Sequence, residues 1–422
     1  MDTGSSEMHR ARTAGSIAEV VRSGLCIGCG LCEAATGGRV RMAATPAGSL
    51  RPFPADGFPP EEETMVLSAC PGVAVEARFD PGARTDPVWG TFSSMAYAWA
   101  GDAEVRFKAA TGGALTALGA HAIDSGLVDF VLHVRADPER PMRSEWVISE
   151  DRAAVIRHAG SRYGPVAPLA GLETALSRGR PFALIAKPCD LSAVQNLSKA
   201  DERIARLCVL RLAMVCGGQS RLGKSRSLLD EFGIPEDDVS VFRYRGYGNP
   251  GRTRVETHDG RAFEKTYLEL WEDEAGWELE TRCKLCPDAL GEAADIVAAD
   301  VWPGGSPTGE DAGINGIVVR SDAGERLVAS AVEAGALVVG EPLTPDALDD
   351  FQPHQVRKKV ALTARFDGLT VAGLPVIETK GLRLEDLGAR LQTDARRREI
   401  EGTLRRVREG RFAEDLPRQS GA

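Results

Sequence analysis

The chain has 422 residues, 43% apolar and 27% charged, with a formal net charge of −10 at pH 7. That length calls for two or three domains, and 46 glycines favour an α/β plan with tight loops over a helical bundle. The acidic balance excludes the basic face that nucleic acid requires, and no apolar run reaches the roughly 18 residues of a membrane-spanning helix.

The N-terminus lacks the apolar core of a secretory signal, so the chain reads as cytoplasmic, with no membrane partner. Its nine cysteines are then unsuited to a disulfide scaffold, being odd in number in a long chain. Six histidines with no HExxH spacing do not make a histidine-rich zinc site. Thiolate-ligated metal is the better reading.

A polar stretch over residues 1–15 leads into Cys26-Ile27-Gly28-Cys29-Gly30-Leu31-Cys32, followed 38 positions later by Cys70-Pro71. Three cysteines at C-x2-C-x2-C spacing with a remote Cys-Pro are the ligand grammar of a ferredoxin-type 4Fe–4S cluster. Gly28 and Gly30 let the backbone turn close enough to aim its N–H groups at the sulfurs. A zinc knuckle is the alternative, although zinc sites more often pair two separated C-x2-C hooks.

Arg106-Phe107-Lys108 is expected to be extended and to run through Thr111-Gly112-Gly113 into a helix. A helix N-terminus of that kind suits a phosphate or a flavin edge, or is a plain cap. Val128 to Val134 reads as a core strand, with His121 and His133 as packing or surface residues. The loop from His158 through Ser161, Arg162 and Tyr163 is dense in hydrogen-bonding groups. Pro181 to Ala186 is a continuous apolar run, as a parallel strand covered on both faces would be, and it delivers Lys187-Pro188-Cys189-Asp190. Val209 to Val215 repeats the pattern and delivers Cys216, whereas Cys208 at its start reads as an inert core thiol.

Phe242 to Gly251 combines Arg243 and Arg245 with tyrosines and turn residues, either a clamp for carboxylate or phosphate or a solvated hairpin end. Cys283-x2-Cys286 follows, then the apolar run Ala294 to Val301 ending at Trp302-Pro303-Gly304, with Asp300 and Asn315 at strand ends. Cys189, Cys216, Cys283 and Cys286 converge as four ligands at the strand ends of one sheet, or else include two structural thiols or a redox-active C-x2-C. From about 381 the chain is arginine-rich and helical by pattern, a packing or homo-oligomer helix with a solvated face.

Taken together, Arg106 with Thr111-Gly112-Gly113, Gly160-Ser161-Arg162-Tyr163, Lys187-Pro188-Cys189-Asp190, Cys283-x2-Cys286-Pro287-Asp288 and Asp300-Val301-Trp302-Pro303-Gly304 resemble the coenzyme F420 hydrogenase/dehydrogenase beta-subunit family of iron–sulfur flavoproteins. The resemblance covers roughly residues 20–320. It implies a non-covalent FAD beside one or two 4Fe–4S clusters and favours a second cluster on Cys189, Cys216, Cys283 and Cys286, with the FAD among Thr111, Gly112, Gly113, Ser161, Arg162, Tyr163 and Lys187, and Asn315 as a further candidate. The family serine before the glycine pair is Thr111 here, which keeps the hydroxyl. The fold expected is α/β: a ferredoxin-like cluster domain over 1–85, a mixed-sheet flavin-binding core over 86–380 and a charged helical tail over 381–422.

The activity expected is electron flow from ferredoxin or a partner subunit through the clusters to FAD, then hydride delivery to an organic acceptor. The alternative is an electron-transfer subunit of a hydrogenase or dehydrogenase complex that reduces coenzyme F420. Lys187 is expected to stabilise anionic reduced flavin, with Tyr163 or His158 as general acid. An acidic ferredoxin would need a local basic patch, for which Arg39, Arg41 and Arg51 are the candidates.

Overall fold

The computed structural model describes residues 10–54, 57–78, 80, 82–271 and 278–417. Its centre is an eight-stranded mixed sheet, in chain order β1 (Ser94–Ala100), β2 (Phe130–Ala136), β3 (Ser144–Ser149), β4 (Phe182–Ala186), β5 (Cys208–Met214), β6 (Ile296–Asp300), β7 (Asn315–Val319) and β8 (Leu337–Pro342). The spatial order is β8-β1-β7-β6-β5-β4-β2-β3. Strands β2, β4, β5 and β6 are mutually parallel, and the flanking pairings are antiparallel.

The apolar runs of β4 and β6 are continuous because both faces of the sheet are covered. Phe182, Leu184, Val297 and Ala299 face one layer, which includes Leu191, Val194 and Leu197 of helix α2 (Pro188–Leu197). Ala183, Ile185, Ile296 and Ala298 face the other, built from α1 (Ala114–Asp124) and α3 (Asp322–Glu333). Helix α1 lies so close to β4 that a Cβ at Gly119 would stand 2.7 Å from Ile185 Cδ1. The segment before α1 differs from expectation. Ala103–Lys108 is helical rather than extended, because Asp102 caps its first amides (Oδ1 2.9 Å from Glu104 N).

Ahead of the sheet, an antiparallel hairpin (Arg41–Ala44 with Leu50–Phe53) and a helix (Pro60–Ala69) frame the first cysteine loop. The expected tail does not stand apart from that lobe. Strand Glu378–Lys380 pairs in parallel with Ala74–Glu76, and Leu362, Leu369, Leu384 and Phe412 share one core with Val20, Leu25, Val75 and Leu285. This C-terminal segment includes the helices α4 (Pro353–Val360) and α5 (Thr393–Arg408). A three-stranded meander, Val239–Arg243, Thr253–Thr257 and Ala262–Lys265, carries the arginine–tyrosine loop. No helix among the described residues is long and apolar enough to cross a membrane.

Candidate functional site

Cys26, Cys29, Cys32 and Cys70 line one cavity, walled by Ile17, Val20, Met42 and Val66. Both glycines of the loop are dictated by crowding. Gly28 (φ +73°) would place a Cβ 2.6 Å from Leu50 O, and Gly30 (φ +89°) would place one 2.5 Å from Ala170 N. The amide of Gly72 points at Cys70 Sγ from 3.4 Å. Burial pushes the Cys70 thiol up to about 12 and those of Cys29 and Cys32 well above their ordinary range. The set is therefore uncharged unless a bound cation holds it as thiolates. Arg51 lies beside Cys26 and Arg282 beside Cys70 to offset such charge.

Cys189, Cys216, Cys283 and Cys286 line a second cavity, together with Lys187, Gln219, Arg282 and Lys358. Sheet topology brings them together. Adjacent parallel strands β4 and β5 pair Ile185 with Leu212, and β5 pairs Leu212 with Ile296 of β6, so the chain leaves all three strands at the same edge. Cys216 N donates to Ala289 O at 2.9 Å, which ties the end of β5 to the segment after Cys286. Lys187 Nζ stands 2.9 Å from Asp190 Oδ2, an ion pair rather than an aligned hydrogen bond. Burial works against that ammonium, but Asp190 and Cys189 keep it charged.

The two cavities are neighbours, since Ile27 lines both. Gln219 bridges them: its amide points at Cys283 Sγ (3.3 Å) and its Nε2 donates to Ile27 O (3.1 Å). Arg282 closes the wall by donating to Pro71 O at 2.7 Å. Among the described residues no three His, Cys, Asp or Glu side chains form a group that could hold a single metal ion. A tetrahedral zinc with Zn–S of about 2.3 Å needs its sulfurs within about 4 Å of one another. Two sets of four thiols that each line a cavity without converging to that spacing suit a multi-iron cluster instead.

A third assembly lies at the same sheet edge, where β6 ends and β7 begins. Arg245 donates to Asp300 Oδ2 (2.9 Å), Ala110 O (2.8 Å) and Thr111 Oγ1 (3.0 Å), and its guanidinium packs over Trp302 and Tyr267. Thr111 in turn donates to Asp300 Oδ1. Gly112 approaches β7 so closely that a Cβ would stand 2.8 Å from Asn315 N, and Asn315 Oδ1 accepts from Ala114 N at 3.1 Å. Tyr163 joins the group. Burial raises its phenol pKa, only partly opposed by Arg245, and Ser161 is a further neighbour. Trp302 Nε1 and Arg245 Nε are buried donors with no hydrogen-bond partner among the described residues.

The structure thus brings together Thr111, Gly112, Gly113, Ser161, Tyr163 and Asn315. Lys187 belongs instead with the second thiol set. Arg162 is occupied elsewhere: its guanidinium donates to Pro141 O, Met142 O, Arg143 O, Phe242 O and Ser144 Oγ. His158 hydrogen-bonds Ser149 (2.9 Å) and faces Arg135, on the β2–β3 hairpin. Tyr267 and Lys358 carried no motif in the sequence; the Arg243–Arg245 repeat was the one signal pointing to this loop.

Two family models match the chain: the N-terminal part of the coenzyme F420 hydrogenase/dehydrogenase beta subunit over residues 95–173, and its C-terminal part over 179–344. Together they span more than half of the sequence. The chain belongs to this family. Membership makes it an oxidoreductase component. It is 26% identical over 287 residues to the coenzyme F420 hydrogenase subunit beta of Methanococcus voltae, covering 63% of this chain and 88% of the relative. Against the beta subunit of F420-dependent formate dehydrogenase 1 of Methanococcus maripaludis the identity is 26% over 253 residues, 59% of this chain and 62% of the relative. A chain of the F420-reducing NiFe hydrogenase complex from Methanosarcina barkeri shares the fold, with a TM-score of 0.52 at 20% identity over 65% of this chain and 92% of that one. The family models cover the central sheet and leave outside them the first thiol set and everything beyond residue 344.

Proposed function

We propose that the chain is an iron–sulfur flavoprotein oxidoreductase carrying two 4Fe–4S clusters and a non-covalent FAD. The observation that carries this reading is the sorting of eight of nine cysteines into two neighbouring sets of four, each around its own cavity. When bound, such groups supply one-electron storage in the clusters and hydride transfer at the flavin. Cys26, Cys29, Cys32 and Cys70 hold the first cluster; Cys189, Cys216, Cys283 and Cys286 hold the second. Ile27 and Gln219 keep the sites adjacent while excluding water between them. Lys187 and Lys358 place positive charge on the second site, which favours its reduced form.

The Thr111-Gly112-Gly113 turn, Asn315 and the Arg245–Asp300 pair frame the flavin site, and the partnerless Trp302 N–H supports a polar ligand there. Tyr163 is the general acid favoured by placement, because burial keeps its phenol protonated at neutral pH. Electrons enter from ferredoxin or a redox partner subunit and leave to an organic small-molecule acceptor. A second reading is favoured by the relatives' names: a beta subunit in a hydrogenase or formate dehydrogenase complex that reduces coenzyme F420. The purified chain decides between them. Oxidation of reduced ferredoxin by the chain alone, with a small-molecule acceptor, supports the first; turnover confined to mixtures with a partner subunit supports the second.

A further inference from the structure

The segment beyond residue 344, outside the family models, covers the loop between the last two cysteines with a surface unlike the rest of the protein. Lys284 lies between Cys283 and Cys286, is exposed, and has no carboxylate partner among the described residues. Arg365 donates to its carbonyl at 2.8 Å. The charged neighbours of Lys284 are Arg406, Arg411, Arg221 and Arg365, all positive. With Arg405 beside Arg406, six cations gather over this loop. The acids paired with them are Glu399, Glu409 and Glu414, and the buried Arg51–Glu280 pair beneath cancels itself. The patch therefore carries about +3 in a chain of −10, which leaves about −13 on the rest.

The basic surface expected on the first lobe is mostly spent: Arg51 is fully buried between Glu280 and Glu414 and Arg39 is paired with Glu62, which leaves Arg41 as the one of the three that is exposed without a carboxylate partner among the described residues. Resting on the iron–sulfur reading above, we propose that the Lys284–Arg365–Arg405–Arg406–Arg411 patch docks a small acidic one-electron carrier protein, which delivers its electron at the Cys283–Cys286 loop. Complementary charge orients a carrier of that kind on an otherwise repelling surface. The position is apt because Leu285 packs in the core that also contacts Cys26 and Cys70. A carrier seated over Lys284 is thus next to ligands of one site and close to those of the other.

The test uses the full chain loaded with iron and flavin, and a purified acidic ferredoxin as probe. Arg405 and Arg411 are exposed (side chains 67% and 64%) and touch neither cavity, so the double change Arg405→Glu with Arg411→Glu leaves turnover with dithionite as donor unaltered. For ferredoxin it raises Kd and KM about tenfold or more at low salt, and the difference disappears at about 0.5 M salt. Arg252→Glu with Arg261→Glu, the same charge change on the meander, has under a third of that effect. Equal ferredoxin affinity in parent and double variant, or binding indifferent to salt, overturns the docking proposal. Iron analysis of the same preparation separates the two levels: eight irons with no patch effect sinks only the docking site, whereas iron-free protein sinks the reading beneath it.

Discussion

Lys358 comes from α4, outside the residues matched by the family, yet its side chain lines the second thiol cavity. Replacing it with glutamine removes one positive charge from that wall while keeping a polar side chain of similar length. A cation on the wall of such a site stands on the order of 6 Å from its centre. At an effective dielectric of about 20, one charge at that distance is worth about 2.8 kcal/mol, or about 120 mV for a single electron. Lys358 is only partly buried, so water reduces this to about 60 mV. The Lys358→Gln variant is expected to lower the midpoint potential of the second cluster by about 60–120 mV, with Lys358→Arg restoring it and the first cluster staying put. Redox titration followed by electron paramagnetic resonance reads both clusters separately. A shift below about 20 mV, an upward shift, or an equal shift of the two clusters refutes the charge argument.

Three further perturbations probe other parts of the chain. Asp300→Asn strips Arg245 of its counter-charge in a mostly buried setting, and should cost about 2 kcal/mol and most of the bound flavin, measured by thermal melting and by flavin released on denaturation. Glu292 is buried, which alone would raise its pKa, but Lys359, Arg383 and Arg320 hold it below its ordinary 4.5. Its stabilisation is complete above 4.5 and is lost as pH falls through the lower folded value; Glu292→Gln should cost about 3 kcal/mol at pH 7 and flatten urea midpoints at acid pH. Cys189→Ser should halve the iron content, whereas Cys208→Ser, whose buried thiol is pushed up to about 12 and lines neither cavity, should leave iron unchanged. Metal analysis of the two variants settles that contrast.

Local spacing made the first thiol set legible, because three of its ligands fall within seven residues and crowding forces glycine at 28 and 30. The strands were legible for a similar reason: an uninterrupted apolar run such as Phe182–Ala186 means burial on both faces. The second set was open on sequence alone, since Cys189 and Cys216 meet Cys283 and Cys286 only once β4, β5 and β6 align their ends. Arg162 was expected beside the flavin from the resemblance alone, and nothing in the sequence announces the carbonyls that take up its donors. The C-terminal segment was the least legible. Its charged pattern reads as a solvated face, while the short pair Leu384 and Leu387 and the distant Phe412 anchor it in the core. Arg51 hides in the same way, since nothing adjacent to it announces Glu280 and Glu414.

The account stands or falls on what the eight sorted cysteines hold. Iron, acid-labile sulfide and flavin determined per chain on anaerobically purified protein, with its ultraviolet–visible spectrum, measure this directly. About eight irons, eight sulfides and one FAD are predicted, with broad absorption near 400 nm that bleaches on reduction. A colourless protein with about one or two zinc ions, or a brown one with only four irons, would contradict it.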